Sequence, residues 1–547
     1  MRKLLVGLLF LFSSVSICLA EEKYEISTAL GFGESGINKV LCMKNGTTFL
    51  LHFENNKPIK TIVFDSSHKR VAGSTLSCRV FDIFMLSTAV FKGLYEINGE
   101  VVLFLEQQNT ARHALIRLQL NAATGKLTDE TTVGRALSIS KPTRFFVMRH
   151  KTDPGYQILF CQDAQQFGES KIHLAYYNAR HEVYKDIPLV FNRKKYDYMH
   201  VVGAEAQPEG VCVSLGLSNM LVNGTGTTVA AMPLYNHYLH VFYIPRDSTR
   251  PLQKTADLAS DVIPYYTNFT YNPFAATVNL LMLSYKDALF RYGIDMRPTA
   301  FVSNLLFRFE ETNLGANYNW LTNKLANKKL LETKDTSNLF TGFPVMMTTN
   351  SNGLTTVVSE SYDRYINAEN FSRSQVFETF IGNFCITQFD DEGKELWGTV
   401  LPKSQYYRSY RHYYRPADFA KRWQNQAMFN DLPPQIYERQ FVASNIYERG
   451  GDFYLVFNDC GKNFNNSLQT PGDTVFTSAL SNACYYKINR KKEVSKHFLL
   501  GAPLNKEYKS CCIEGAGFDE ERGVYAAVIR YKRGSYISQR MAWARLD

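Results

Sequence analysis

Residues 120–127 read Leu-Asn-Ala-Ala-Thr-Gly-Lys-Leu and join one apolar stretch to the next through a short polar turn. Asn and Gly suit a hairpin turn, because Asn bonds its own backbone and Gly adopts positive φ angles without strain. The same arrangement recurs along the chain, with an acidic or amide residue directly after an apolar stretch. These positions are Asp65, Asn121, Asn178, Asp247, Glu310, Asp390, Asn489 and Asp547. Their average spacing is about 69 residues, so the sequence predicts a structural repeat.

A second turn, which separates two further apolar stretches, precedes each of these positions. It carries Gly46, Gly99, Gly155, Gly210, Gly353, Gly451 or Gly523, and the fifth unit has Asn272-Pro273 in its place. Each unit therefore has four strands. A glycine turn joins the first strand to the second, a loop joins the second to the third, and an Asp or Asn turn joins the third to the fourth. Four-stranded antiparallel units repeated around an axis are typical of a β-propeller, whose closure protects most strand edges.

The sequence thus predicts an all-β fold, a single β-propeller of about eight four-stranded blades. Seven blades are one alternative, because the fourth and fifth units are the least regular. A string of unrelated hairpins, as in β-sandwiches in tandem, is the other. The last unit reaches Asp547 before its fourth strand begins. We expect residues 24–30, Tyr-Glu-Ile-Ser-Thr-Ala-Leu, to pair into that last blade and close the ring.

The first 20 residues have the pattern of a secretory signal peptide. Arg2 and Lys3 precede a short apolar segment, and Cys18-Leu19-Ala20 ends in a small residue. We therefore expect residues 21–547 to form the propeller, exported to the periplasm, the outer membrane or the extracellular space. Lipidation at Cys18 is an alternative that the bulky Ile17 before it disfavours. The apolar segment is too short for a transmembrane helix, and no later stretch predicts one.

Charge and motifs exclude several classes of function. Loss of Arg2 and Lys3 lowers the net charge from +10 to +8, and no run of Lys or Arg predicts nucleic-acid binding. His237 and His240 are three residues apart in a predicted strand, so they point to opposite faces and cannot share a metal. No nucleotide-binding loop, serine-hydrolase elbow or zinc-protease motif occurs, and we expect neither a metal nor a cofactor.

Nine cysteines follow the signal segment, and export permits disulfides. The odd number leaves at least one thiol unpaired, and Cys161 lies within an apolar strand, as a buried free thiol would. The absence of a Cys-x-x-Cys pair argues against zinc. A bridge between Cys460 and Cys484 across neighbouring strands is one expectation.

Two long insertions, at about residues 403–440 and 458–474, mark the seventh unit as the place for a site. In a radial meander both emerge on the same face, and function is often located on such loops. The first insertion is rich in Tyr and Arg, the residues most common in binding hot spots. The predicted contact residues are Tyr407, Arg408, Tyr410, Arg411, Tyr414, Arg415 and Trp423. Packing of these aromatic residues onto the propeller is the alternative.

Residues 343–360, the turn from Asp390 to Trp397 and the stretch 455–459 resemble uncharacterised exported proteins of Bacteroidota. The resemblance implies a propeller in a bacterial envelope and transfers no site residue. The leading hypothesis is an exported binding or scaffold propeller that engages a protein or a glycan through the long loops of one face. The alternative is a glycoside hydrolase or lyase with carboxylates at the central funnel. The sequence favours a protein that is not an enzyme.

Overall fold

The β-branched and aromatic stretches form strands throughout the computed structural model, and polar turn residues separate them. The structure describes residues 23–33, 36–107, 113–136, 143–162, 171–221, 234–258, 262–272, 277–286, 305–307, 323–333, 342–367, 376–390, 394–409, 439–442, 444–465, 473–504 and 506–546. The predicted signal peptide lies outside these residues.

The described strands form eight antiparallel sheets, which we number as blades in chain order. The N-terminal strand is β1 (Tyr24–Ala29). Blade 1 contains β2 (Ile37–Cys42), β3 (Thr48–Phe53), β4 (Lys60–Phe64) and β5 (Arg70–Thr75). Blade 2 contains β6 (Ala89–Ile97), β7 (Glu100–Gln107), β8 (Ala114–Leu120) and β9 (Leu127–Arg135). Blade 3 contains β10 (Thr143–Met148), β11 (Tyr156–Gln162), β12 (Lys171–Tyr177) and β13 (Val183–Pro188). Blade 4 contains β14 (Tyr198–Gln207), β15 (Gly210–Leu221), β16 (Leu234–Pro245) and β17 (Leu252–Asp257).

The other half of the ring is less regular. Blade 5 contains β18 (Val262–Asn272), β19 (Thr277–Lys286) and β20 (Leu305–Phe307). Blade 6 contains β21 (Phe343–Thr349), β22 (Thr355–Asn367), β23 (Val376–Phe389), β24 (Glu395–Leu401) and β25 (Gln405–Ser409). Blade 7 contains β26 (Ser444–Arg449), β27 (Asp452–Cys460), β28 (Ser481–Ile488) and β29 (Val494–Phe498). Blade 8 contains β30 (Glu507–Cys511), β31 (Gly517–Asp519), β32 (Val524–Arg533) and β33 (Tyr536–Arg545), joined by β1.

The N-terminal strand completes the last blade, as predicted. β1 pairs antiparallel with β33, with Tyr24 opposite Ala544 and Ile26 opposite Ala542. A shared core strengthens this closure, because Leu50 of blade 1 belongs to the same buried cluster as Val528 of blade 8. The prediction of a closed all-β propeller is therefore confirmed.

Seven of the eight sheets carry at least four strands, five of them with four and blades 6 and 8 with five, and this number matches the seven-blade alternative. Blade 5 has three described strands, and its predicted turn at Glu310 lies outside the described residues, as do Pro273 and Asp547. The other predicted turn residues lie between consecutive strands of their blades or, for Gly210 and Asn272, at a strand end. Gly46 and Gly353 have φ angles of 89° and 79°, which explains the glycine at these turns.

Short helices supplement the strands. The α-helix α1 (Lys324–Thr333) packs on β24, and Glu395 accepts hydrogen bonds from the first two backbone N–H groups of the helix, at 3.1 and 3.0 Å. Gly398 permits this approach, since a Cβ there would lie 2.7 Å from the backbone N of Ala326. Four 3₁₀-helices span Ile83–Thr88, Arg193–Lys195, Gly461–Asn465 and Ser478–Leu480.

Candidate binding surface

The meander gives the propeller two chemically different faces. We call the face that carries the blade-to-blade connections and the loops between second and third strands the insertion face. The opposite face, which we call the turn face, carries the turns between first and second and between third and fourth strands. Both long insertions of the sequence start from the insertion face, since one precedes β26 and the other joins β27 to β28.

Exposed hydrophobic side chains are concentrated on the insertion face. Among the described residues, fourteen large hydrophobic side chains are exposed, and five of them lie on outermost strands. Six of the other nine lie in connections of the insertion face, Val80, Phe84, Val190, Phe476, Leu480 and Leu504, and three lie at strand ends on that face, Tyr198, Tyr536 and Ile537. Of the five on outermost strands, Val183 and Leu252 are the first residues of β13 and β17, at the turn-face end. None of the fourteen lies in a turn of the turn face. Exposed apolar groups gathered on one side are typical of a surface that binds a partner.

The two insertions meet at β25. This strand pairs with β23 of blade 6 on one side and forms a parallel bridge to Val475 on the other. The N–H of Tyr406 donates to the carbonyl of Val475 at 2.9 Å, and the N–H of Val475 donates to the carbonyl of Ser404 at 3.0 Å. These hydrogen bonds fix the bases of both insertions against each other.

An aromatic cluster covers this junction. The ring centroid of Tyr406 lies 5.2 Å from that of Phe380 and 5.4 Å from that of Phe476. Phe476 is 66% exposed, and Leu480 nearby is 48% exposed. Burial and the Glu378 carboxylate raise the pKa of Tyr406, so its phenol stays neutral at physiological pH. A small cavity of about 150 Å³ opens beside the cluster.

Two of the seven predicted contact residues are described. Tyr407 is buried, with 2% of its surface exposed, whereas Arg408 is exposed and lines the small cavity. Tyr410, Arg411, Tyr414, Arg415 and Trp423 lie outside the described residues. Phe476 and Leu480 were not among the predicted contact residues, although an aromatic residue at the end of the second insertion could have indicated this surface.

Buried polar contacts hold the C-terminal end of the first insertion. Arg439 and Gln440 are 1% and 0% exposed. The Gln440 side chain accepts from the N–H of Asn38 at 3.0 Å and donates to the carbonyl of Gly36 at 2.8 Å. Its backbone carbonyl accepts from the N–H of Glu514 at 3.2 Å. The insertion is therefore attached to blades 8 and 1, well away from the blade where it begins.

Every buried carboxylate among the described residues is ion-paired. Four carboxylate side chains that are at most 5% exposed each contact a lysine, in the pairs Lys39–Glu514, Lys92–Glu106, Lys403–Glu360 and Lys496–Asp459. Burial raises the pKa of Glu514, but Lys39 and Arg439 outweigh it, and the pKa of this carboxyl is lowered. A glycosidase acid needs a raised pKa, so Glu514 does not support the enzyme alternative.

Histidines and cysteines form no metal site among the described residues. His237 and His240 both lie in β16, opposite Ser218 and Leu215, and the odd spacing puts them on different faces. Burial lowers the pKa of His240 to about 4, so this ring is neutral at physiological pH.

The bridge expected between Cys460 and Cys484 does not form, and none of the nine described cysteines forms a disulfide. The register explains this result, because Cys460 lies opposite Ser481 and Cys484 lies opposite Phe457. Ser481 and Cys484 are three positions apart, so the two thiols point to opposite faces of the sheet. Cys161 is buried and forms no disulfide, as expected.

The turn face carries a cavity of about 680 Å³ where blade 8 meets blade 1. Polar contacts join its walls: Nδ1 of His68 lies 2.9 Å from the Glu25 carboxylate, and the Arg522 guanidinium donates to the carbonyl of Lys44 at 2.9 Å. The His68 ring also stacks on Trp543, with centroids 4.4 Å apart. These contacts serve the closure of the ring.

No helix within the described ranges has the length and hydropathy of a membrane span. No protein-family model and no curated protein matches this chain. The chain is similar to the WD40 domain of SCAP from fission yeast, at 9% identity, 96% and 98% coverage of the two chains and a TM-score of 0.31. It is also similar to the polysaccharide lyase Uly1, at 9% identity, 95% and 91% coverage and a TM-score of 0.39. At these scores neither likeness carries a conclusion about function.

Proposed function

We propose that this protein is an exported, cell-envelope binding or scaffold propeller that engages a partner protein through its insertion face. The observation that carries the proposal is the uneven distribution of exposed apolar side chains. Among the described residues, six lie in connections of the insertion face and none lies in a turn of the opposite face. Aromatic and Arg side chains beside exposed aliphatic ones match the composition of protein interfaces.

The junction of the two insertions is the centre of the proposed interface. Phe476 and Leu480 offer apolar area, and Arg408 offers a charged donor at the edge of the small cavity. The junction is tied down by backbone pairing, which lowers the conformational entropy lost when a partner binds. A protein is favoured over a glycan because the two large hydrophobic side chains exposed at this centre, Phe476 and Leu480, offer apolar area for a partner to bury.

Site-specific photo-crosslinking tests this proposal. A benzophenone amino acid replaces Phe476 in one variant and Tyr184, which is 64% exposed on an outermost strand, in the control variant. In cells of the native host we expect a discrete protein adduct from position 476 and none from position 184. A polysaccharide adduct at 476, or equal adducts at both positions, would contradict the proposal. Mass spectrometry of the purified adduct should also give a mature chain that begins at Glu21.

A further inference from the structure

A second cavity of about 530 Å³ lies on the turn face, between blades 6 and 7. The turns at residues 350–354, 450–451 and 489–492 surround it. Its volume lies within the range of roughly 300–1,000 Å³ that is typical of small-molecule sites. It belongs neither to the insertion face nor to the closure of the ring.

The cavity combines one indole ring with apolar side chains. Trp397 on β24 lies opposite Gln388 on β23, so both side chains are on the same face of blade 6. The Trp397 ring is half-buried, and the Lys492 ammonium lies 5.7 Å from its centroid. Phe453 and Ile488 complete the apolar part. A flat aromatic surface of this kind stacks well against the apolar face of a sugar ring.

The cavity also contains a buried acceptor that no described residue satisfies. The amide oxygen of Gln388 is buried without a hydrogen-bond partner among the described residues, and its amide nitrogen reaches Thr356 only at 3.5 Å. A buried unsatisfied polar atom costs about 1–3 kcal/mol. Gln388 lines the cavity, and rotation of its amide toward the cavity would let a ligand hydroxyl donate to this oxygen and recover that free energy.

The rim of the cavity is held in place by its own hydrogen bonds. Asn350 accepts from the N–H groups of Asn352 and Leu354, both at 3.0 Å. Thr348 of blade 6 donates to the Glu448 carboxylate of blade 7 at 2.8 Å, which links the two walls. A rim that is fixed before binding reduces the entropy lost on binding.

We propose that the cavity between blades 6 and 7 is a binding site for a short saccharide. The sugar packs against the part of Trp397 that Lys492 leaves exposed and donates a hydroxyl to the Gln388 amide oxygen, while the Glu448 carboxylate accepts another hydroxyl. A phosphate ligand is disfavoured, because Lys492 is engaged with the indole ring and Arg490 donates to the carbonyl of Gly450. This site lies on the face opposite the insertion face. A negative result in saccharide binding therefore leaves the proposed partner surface untouched, and a negative result in cross-linking leaves the saccharide site untouched.

The test uses the full mature chain and four probes: cellotriose, maltotriose, triacetylchitotriose and trigalacturonate. Binding is measured by saturation-transfer NMR and by tryptophan fluorescence. We expect at least one probe to bind with a dissociation constant below about 1 mM. Gln388→Ala and Trp397→Phe should each weaken that binding, by about tenfold for the amide variant.

Leu396→Ala is the matched control, because Leu396 neighbours Trp397, is 43% exposed and does not line the cavity. It should leave probe binding unchanged, and melting temperatures identify any variant that fails to fold. The proposal is overturned if none of the four probes binds at ~10 mM. It is equally overturned if a probe binds and Gln388→Ala folds without changing its affinity.

Discussion

The insertion face and the turn face are built from the same strands but are stabilised differently. Beneath the insertion face lie buried ion pairs such as Lys39–Glu514, whose side chains are 9% and 4% exposed. Ion pairs at the surface of either face are exposed: the side chains of Lys462–Asp473 on the insertion face are 82% and 60% exposed, and those of Lys151–Glu520 on the turn face are 68% and 50% exposed. The comparison teaches that the side with the more hydrophobic surface also has buried ion pairs below it.

Neutralising the buried carboxylate of Glu514 should cause the largest loss in the free energy of unfolding. In Glu514→Gln, the nearly buried Lys39 and Arg439 lose their anionic partner, and we expect a loss of about 3–5 kcal/mol in the free energy of unfolding. The matched control, Glu520→Gln on the turn face, should change it by less than about 1 kcal/mol. Urea unfolding measures both, and similar losses in the two variants would contradict the comparison.

Acidification should lower the free energy of unfolding by a smaller amount, and the responsible residue, His52, also lies beneath the insertion face. Burial lowers the pKa of His52 to about 4, from the ordinary value of 6.5. Because the folded pKa is the lower one, the unfolded chain binds more protons between these values. The contribution of His52 to stability is therefore complete above pH 6.5 and is lost as the pH falls toward 4.

The expected loss from His52 is on the order of 3 kcal/mol at pH 4. His52→Gln should reduce the dependence of the unfolding free energy on pH between 6.5 and 4, relative to the wild type. Urea unfolding at several pH values measures this slope. An unchanged slope would mean that His52 is not held neutral by burial.

The repeat could be predicted from the sequence because turns are local. A glycine with positive φ at Gly46, or an Asn that bonds its own turn at Asn121, depends on a few neighbouring residues. The count of such turns, together with the strand at residues 24–30, was sufficient to predict the ring and its closure.

The side chains exposed at the candidate binding surface could not be predicted in the same way, because the burial of a residue depends on residues distant in the sequence. The Lys39–Glu514 contact joins residues 475 positions apart, and nothing local marks it. Tyr407 and Arg408 are adjacent in the sequence, yet one is buried and the other exposed, since β25 has one side against the propeller. The Cys460–Cys484 expectation was wrong because it needed a register that only the folded sheet defines.

The affinity of the cross-linked partner for variants of the two surfaces tests the central claim most directly. The insertion-face variant combines Arg408→Ala, Phe476→Ser and Leu480→Ser, and the control combines Val71→Ser and Tyr184→Ser on outermost strands, where exposure is similar. We predict at least about a hundredfold weaker binding for the first variant and unchanged binding for the second, with both melting temperatures close to that of the wild type. Full affinity in a folded insertion-face variant would contradict the account.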